Sequence, residues 1–395
     1  MSIALINGRV LLDTGFVDDQ AVILERDRIS AVLPGNDARL RTLPCYDLQG
    51  HLLLPGFIDT QVNGGGGVLF NDNPGIDSIA AIGRAHRRFG TTGFLPTLIS
   101  DDLHVVEEAI AAIQQAIAAG VPGVLGIHIE GPFINVRRKG VHDANKLREL
   151  DDTSLQLLTS LRGGKTLLTL APEMTTPALI RKLSDAGVVV SAGHSNASYV
   201  EVRAALDHGL RGFTHLFNAM SQLTGREPGV VGAALDDQHS WAGIIVDGLH
   251  VDPVVLRIAM RARPLERFML VTDAMPGVGS DADEFMLQGR RILVRDGKCL
   301  DESGTLAGTN IGMAETIANA RRLLGLDLAQ AVRMASLYPA TFLGLEGELG
   351  RIAPGYRASL VVADDELNII ETWIDGKAAG ASIRTASGKA MSNAT

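Results

Sequence analysis

The chain has 395 residues, 46% apolar and 21% charged, with a formal net charge of −9. That balance is ordinary for a globular protein with one large core and a smaller appendage. It argues against nucleic acid or an anionic membrane as the main partner, so an anionic small molecule would need a local basic pocket.

In chain order, residues 3–33 are β-rich, with a turn signal at Asn7-Gly8. No apolar run reaches the roughly 18 residues of a membrane span. The opening MSIALINGRV lacks a basic segment followed by a long apolar core. The two cysteines, Cys45 and Cys299, lie far apart without metal spacing. The expectation is a cytoplasmic protein with reduced thiols.

From about residue 51, short apolar runs alternate with helical ones. Eight strand candidates fall at 52–63, 91–98, 124–131, 166–173, 188–195, 212–219, 241–250 and 267–274. They are continuous rather than alternating, as in parallel strands covered on both faces. Between them, Val106, Ile110, Ile113 and Ile117 share one helical face. Ser198 and Glu201 read as a capping box. Eight strand–helix units over some 250 residues predict a (β/α)8 barrel with its site at the strands' C-terminal ends. A doubly wound open sheet is the alternative, but it would not bring the ends of strands one, three, five, six and eight together.

Residues 285–301 read as a β-hairpin turning at Asp296-Gly297 and lying over the barrel mouth. Residues 349–376 are again β-rich and are expected to pair with the N-terminal strands in a small β-sandwich. The predicted organisation is therefore sandwich over 1–50 and 349–380, barrel over 51–348, and a loose tail over 381–395.

Three barrel runs stop on residues able to bind a metal: HIEGPF on Glu130, SAGHS on His194 and FTHLFNAM on His215. Three such ligands leave room for a water, the arrangement of a hydrolytic rather than a structural centre. Four of the ten histidines, His142, His194, His215 and His250, sit at or just past strand ends. His51, His86, His104, His208 and His239 read as surface groups. His128 shares the strand face of Glu130 and could support it. Asp273, ending the eighth strand, would alone be read as a cap. Beside a three-ligand site it is placed to take a proton from water and return it to a leaving amine. Arg226, in the TGREPG loop, is either solvated or a phosphate contact with His250. Gly64–Gly67 lacks a following lysine and helix start, and reads as a flexible loop.

The motifs PGFIDTQVNG, HIEGPF with KGVH, TLAPE, SAGHSNA, THLFNAM, TGREPG, DGLHVD, LVTDA and GTLAG resemble, in this order, those of the N-acetylglucosamine-6-phosphate deacetylases of the amidohydrolase superfamily. The resemblance covers about residues 3–376. It implies a homodimeric barrel with a β-sandwich that removes acetate from an amino-sugar phosphate. It implies Glu130, His194 and His215 as metal ligands, Asp273 as acid/base, and His142 at the substrate amide. Val141, Asn218, Ala219, Arg226, His250 and the backbone of Leu306, Ala307 and Gly308 would contact substrate, part of the phosphate site being completed across the dimer.

The wider superfamily commonly ends its first strand in His-x-His, which holds a second metal; here the positions read Gln61-Val62-Asn63. Neutral amides are poor ligands for zinc or iron. The expectation is one divalent metal per subunit, zinc foremost, with iron(II) or another ion also suited. The alternatives are an N-acetylgalactosamine-6-phosphate deacetylase, another amidohydrolase, or a catalytically silent barrel that binds sugar phosphate.

Overall fold

The computed structural model describes residues 2–295, 297–380, 383–384 and 390–391. Eight parallel strands form the barrel: β1 (Phe57–Val62), β2 (Thr91–Ile99), β3 (Gly126–Glu130), β4 (Lys165–Leu170), β5 (Val189–Ala192), β6 (Leu210–Phe213), β7 (Trp241–Ile244) and β8 (Phe268–Leu270). Almost every strand residue is buried, because side chains fill the interior on one face and meet helices on the other. β8 does not pair with β1 along its length; closure comes just beyond it. Val62 bridges Ala274, Asp273 N donates to Gln61 O at 3.0 Å, and Asn63 N donates to Ala274 O at 2.9 Å.

The helices carry the expected patterns. α1 (Ile76–Arg87) buries Ile79, Ile82 and His86, and α2 (Leu103–Ala118) buries Val106, Ile110 and Ile113. In α3 (Tyr199–Leu206) both halves of the Ser198–Glu201 capping box are present.

Three sequence expectations need correction. The run 52–63 is not one strand. Leu52–Pro55 joins the outer sheet, where it lies parallel to Ser2–Leu12 and antiparallel to Leu360–Ala363, and only Phe57–Val62 enters the barrel. Gly64–Gly67 is not an open loop: Gly64–Gly65 pairs with Val68–Leu69, and both glycines of the first pair are buried. His86 is not a surface group but fully buried, with Nε2 bonded to Gly64 O at 2.8 Å.

Strands from both chain ends make a ten-stranded sheet around its own core, which includes Leu5, Leu24, Ile29, Leu53, Leu360 and Trp373. The predicted hairpin is larger than two strands: Glu284–Leu287, Arg290–Arg295, Lys298–Asp301 and Leu306–Thr309 form an antiparallel meander. Asp296, half of its predicted turn, lies outside the described residues, as does most of the 381–395 tail. The meander meets the barrel mouth where Gln288 Nε2 donates to Ser100 O at 2.6 Å and Gln288 Oε1 accepts from Asp143 N at 2.9 Å.

Candidate active site

Glu130 is the last residue of β3, while His194 and His215 lie two residues beyond β5 and β6. Their ligating atoms all fall within 4.8 Å of one another. Glu130 Oε1 stands 3.1 Å from His194 Nε2 and 2.9 Å from His215 Nε2, and the two nitrogens are 3.1 Å apart. Zinc bonds of about 2.0–2.1 Å in a tetrahedron give ligand–ligand edges of roughly 3.3 Å. The observed triangle is close to one face of such a tetrahedron. His194 Nδ1 bonds the carbonyl of Arg138 at 2.8 Å, so it carries the proton and leaves the Nε2 lone pair facing the triangle. These residues fit a divalent cation. Burial alone would raise the Glu130 carboxyl, but the two histidines prevail and hold it well below the usual range. His215 is lowered by burial and raised more strongly by Glu130, with a net upward shift.

Gln61 and Asn63 present amide N–H groups to carboxylates. Gln61 Nε2 donates to both Glu130 oxygens, at 3.3 and 3.2 Å, and to Asp273 Oδ1 at 3.1 Å. Asn63 Nδ2 donates to Asp273 Oδ1 at 2.6 Å. Asp273 is thereby fixed beside Glu130. Burial and then the Glu130 charge push its pKa up to about 6, against the opposing pull of His215, His250 and the Asn63 bond.

The His142 ring packs on His194 with centroids 4.4 Å apart. Its Nδ1 accepts from Ser100 N at 3.3 Å and lies 2.7 Å from Ser100 Oγ. Accepting at Nδ1 leaves the proton on Nε2. Burial first, then the neighbouring His194, holds the ring well below its ordinary pKa and so neutral. Gly131 makes this close packing feasible: its φ is +83°, and a Cβ there would stand 2.2 Å from Ser100 Oγ. His128 lies one layer deeper and touches no ligand. It bonds Thr97 Oγ1 at 3.1 Å and Thr169 Oγ1 at 2.8 Å, part of a hydroxyl layer under the site continued by Thr214 and Ser191.

A cavity of about 330 Å³ opens over these groups. Glu130, His142, His194, His215, Asp273 and Asn63 line it. Further out so do Val141, Asn218, Ala219, His250, Leu306 and Gly308. His250 Nδ1 is held by Asp247 Oδ2 at 2.5 Å. Arg226, also expected in the cavity, is exposed and outside the wall, while Ala307, expected only through its backbone, has a buried side chain between the lining residues Leu306 and Gly308. Sequence reasoning passed over Ser100 and Asp247, which orient His142 and His250. It also passed over Arg137 and Arg138, which line the wall. The basic run Arg137–Lys139 was a readable signal for the latter pair.

Fold and site together define a hydrolase barrel with a three-ligand metal position and a carboxylate beside it. The sequence profile of the amidohydrolase family matches residues 52–379, and the chain belongs to that family. It is 44% identical over 335 residues to the N-acetylgalactosamine-6-phosphate deacetylase of Shewanella sp. (strain ANA-3), covering 85% of this chain and 84% of that one. It is 36% identical over 381 residues to the N-acetylglucosamine-6-phosphate deacetylase of Haemophilus influenzae, covering 95% and 99%. The crystal structure of N-acetylglucosamine-6-phosphate deacetylase from Pasteurella multocida superposes with a TM-score of 0.92 at 36% identity, covering 96% of this chain and 99% of that one.

Proposed function

We propose that this chain hydrolyses the acetamide of N-acetyl-D-glucosamine 6-phosphate to D-glucosamine 6-phosphate and acetate. The observation that carries this reading is the convergence of Glu130, His194 and His215 beside Asp273 in a cavity of sugar size, in a chain similar along its length to amino-sugar-phosphate deacetylases. Glu130, His194 and His215 hold one divalent cation, zinc foremost and iron(II) as the alternative. When bound, the cation lowers the pKa of water to about 7 and stabilises negative charge on the amide oxygen. Gln61 and Asn63 are occupied in donating to carboxylates, so the reading is one metal per subunit; two tightly held ions per chain would overturn it.

Asp273 takes the proton from the attacking water and gives it to the departing amine. A carboxyl raised to about 6 suits both transfers near neutral pH. Neutral His142 donates its Nε2 proton to the amide oxygen, where charge develops. Asn218, Ala219 and the 306–308 backbone hold the sugar, His250 meets the 6-phosphate, and Arg226 reaches it from a partner subunit of a homodimer. Remote binding of this kind orients the amide for attack. The enzyme acts in the cytoplasm; among the described residues no helix is long and apolar enough to cross a membrane.

The test is acetate release from N-acetylglucosamine 6-phosphate before and after chelation and metal add-back. A second reading, the galactosamine epimer, is favoured by the 44% identity to the Shewanella protein. Comparing kcat/KM for the two epimers decides between them.

A further inference from the structure

We infer that Arg137 is the cation through which the subunit's own cavity holds the substrate's phosphate. The inference rests on the sugar-phosphate reading above. The cavity is electrically divided, with the carboxylates Glu130 and Asp273 on its floor and Arg137 and Arg138 in its wall. Arg138 is already engaged: its carbonyl accepts from His194 Nδ1 at 2.8 Å, and its Nε donates to Asn196 Oδ1 at 3.0 Å. Arg137 is different. Its backbone is pinned, with its N–H donating to Asn135 Oδ1 at 2.9 Å while Asn135 Nδ2 donates to Glu173 Oε1 at 3.0 Å. Yet among the described residues its guanidinium meets no carboxylate and makes no hydrogen bond. Arg137 is exposed but lines the cavity, and an anchored backbone carrying a free, planar, permanently charged fork is the form of an anion contact.

The placement agrees. Asn196, bonded by Arg138, follows Ser195, whose N–H donates to Ala219 O at 3.1 Å. The arginine pair therefore adjoins the Asn218–Ala219 turn of the same wall. Arg226 is exposed and does not line this cavity. Within one chain, Arg137 is the lining arginine left free to meet a dianion while the floor keeps the acetamide end. The carboxylates on the floor repel phosphate, so the charge division also selects the orientation in which the amide enters first.

The experiment compares wild type, Arg137→Ala and Arg137→Lys, each holding its metal, on N-acetylhexosamine with and without the 6-phosphate, by acetate release. In Arg137→Ala the kcat/KM ratio of phosphorylated to unphosphorylated substrate should fall by about tenfold to a hundredfold, the loss residing in KM. Arg137→Lys should recover part of it, keeping the charge but not the fork. An unchanged ratio, whether from equal losses on both substrates or from no loss, overturns the role of Arg137 and leaves the deacetylase reading intact. A wild type that releases acetate from neither epimer's phosphate overturns that reading and this inference together.

Discussion

At Asp273 the backbone adopts φ 52°, and at His194 and His215 it adopts 48° and 33°. Left-handed backbone is uncommon outside glycine, though Asn, Asp and His tolerate it better than most, and each instance costs on the order of 1 kcal/mol. Here each chain leaves its strand end by turning sharply, and that turn presents the side chain to the barrel axis. The prediction for Asp273→Asn follows. Asparagine accepts the same backbone conformation and nearly the same shape but cannot take a proton. Turnover should fall by about 10²–10⁴-fold while metal content by elemental analysis stays that of wild type. A variant that kept its rate would remove Asp273 from the proton transfers. The residues at strand ends were readable because an apolar run that stops on histidine or glutamate leaves a buried polar group needing a partner. Ser100 and Asp247 were not, because a loop serine or aspartate has the same local pattern whether it caps a turn or orients an imidazole.

The element scale shows where local pattern and position parted. His86 was read as a surface group, yet it falls seven residues after Ile79 and four after Ile82, on the stripe that α1 buries. The stripe was the available signal, and the polarity of histidine masked it. Burial, only partly offset by the bond to Gly64 O, lowers its pKa to about 4. In the unfolded chain it titrates near 6.5. Between those values the unfolded state binds more protons, so stability is full above about pH 6.5 and falls by up to about 3 kcal/mol as pH drops towards 4. His86→Gln keeps a donor for Gly64 O but cannot titrate. Its unfolding free energy, measured by urea between pH 7 and 4, should lose about one proton's worth of slope relative to wild type. An identical slope would show that His86 does not titrate on unfolding. The capping box of α3 is the opposite case, fully legible because its two residues act within one turn. Ser198→Ala should cost about 1 kcal/mol in the same assay and leave kcat unaltered. The split of 52–63 between sheet and barrel falls at Pro55-Gly56, a turn dipeptide that the strand-like run on either side masked. Both halves are fully buried strand, although Phe57–Val62 carries Asp59, Thr60 and Gln61, and pairing with Ser2–Leu12 is what draws Leu52–Pro55 into the outer sheet.

At the scale of the whole molecule, the barrel brings Glu130, His194, His215, Asp273 and the amides of Gln61 and Asn63 together from five of its strand ends, and the meander packs against the mouth through Gln288. Arg226, the proposed phosphate contact, stands exposed and apart from the cavity wall of its own chain. Leu223, three residues before it, is 56% exposed, and Val254 and Ile258, on the second helix after it (Pro253–Ala262), are 51% and 56% exposed. A surface of that kind suits burial against a second copy. If the partner's Arg226 completes the site, the defect of Arg226→Ala lies in one subunit and its effect in the other. Mixing that variant with Asp273→Asn is then decisive. In the mixed dimer, the Arg226→Ala subunit keeps its own Asp273 and receives an intact arginine from its partner, while the other site carries both defects. Random reassociation of equal amounts restores about a quarter of wild-type sites, because half the dimers are mixed and each has one repaired site. Assayed at substrate well below KM, the mixture should exceed either parent severalfold after co-refolding or subunit exchange. If Arg226 served the cavity of its own chain, every site in the mixture would still carry a defect, and activity would be the average of the parents.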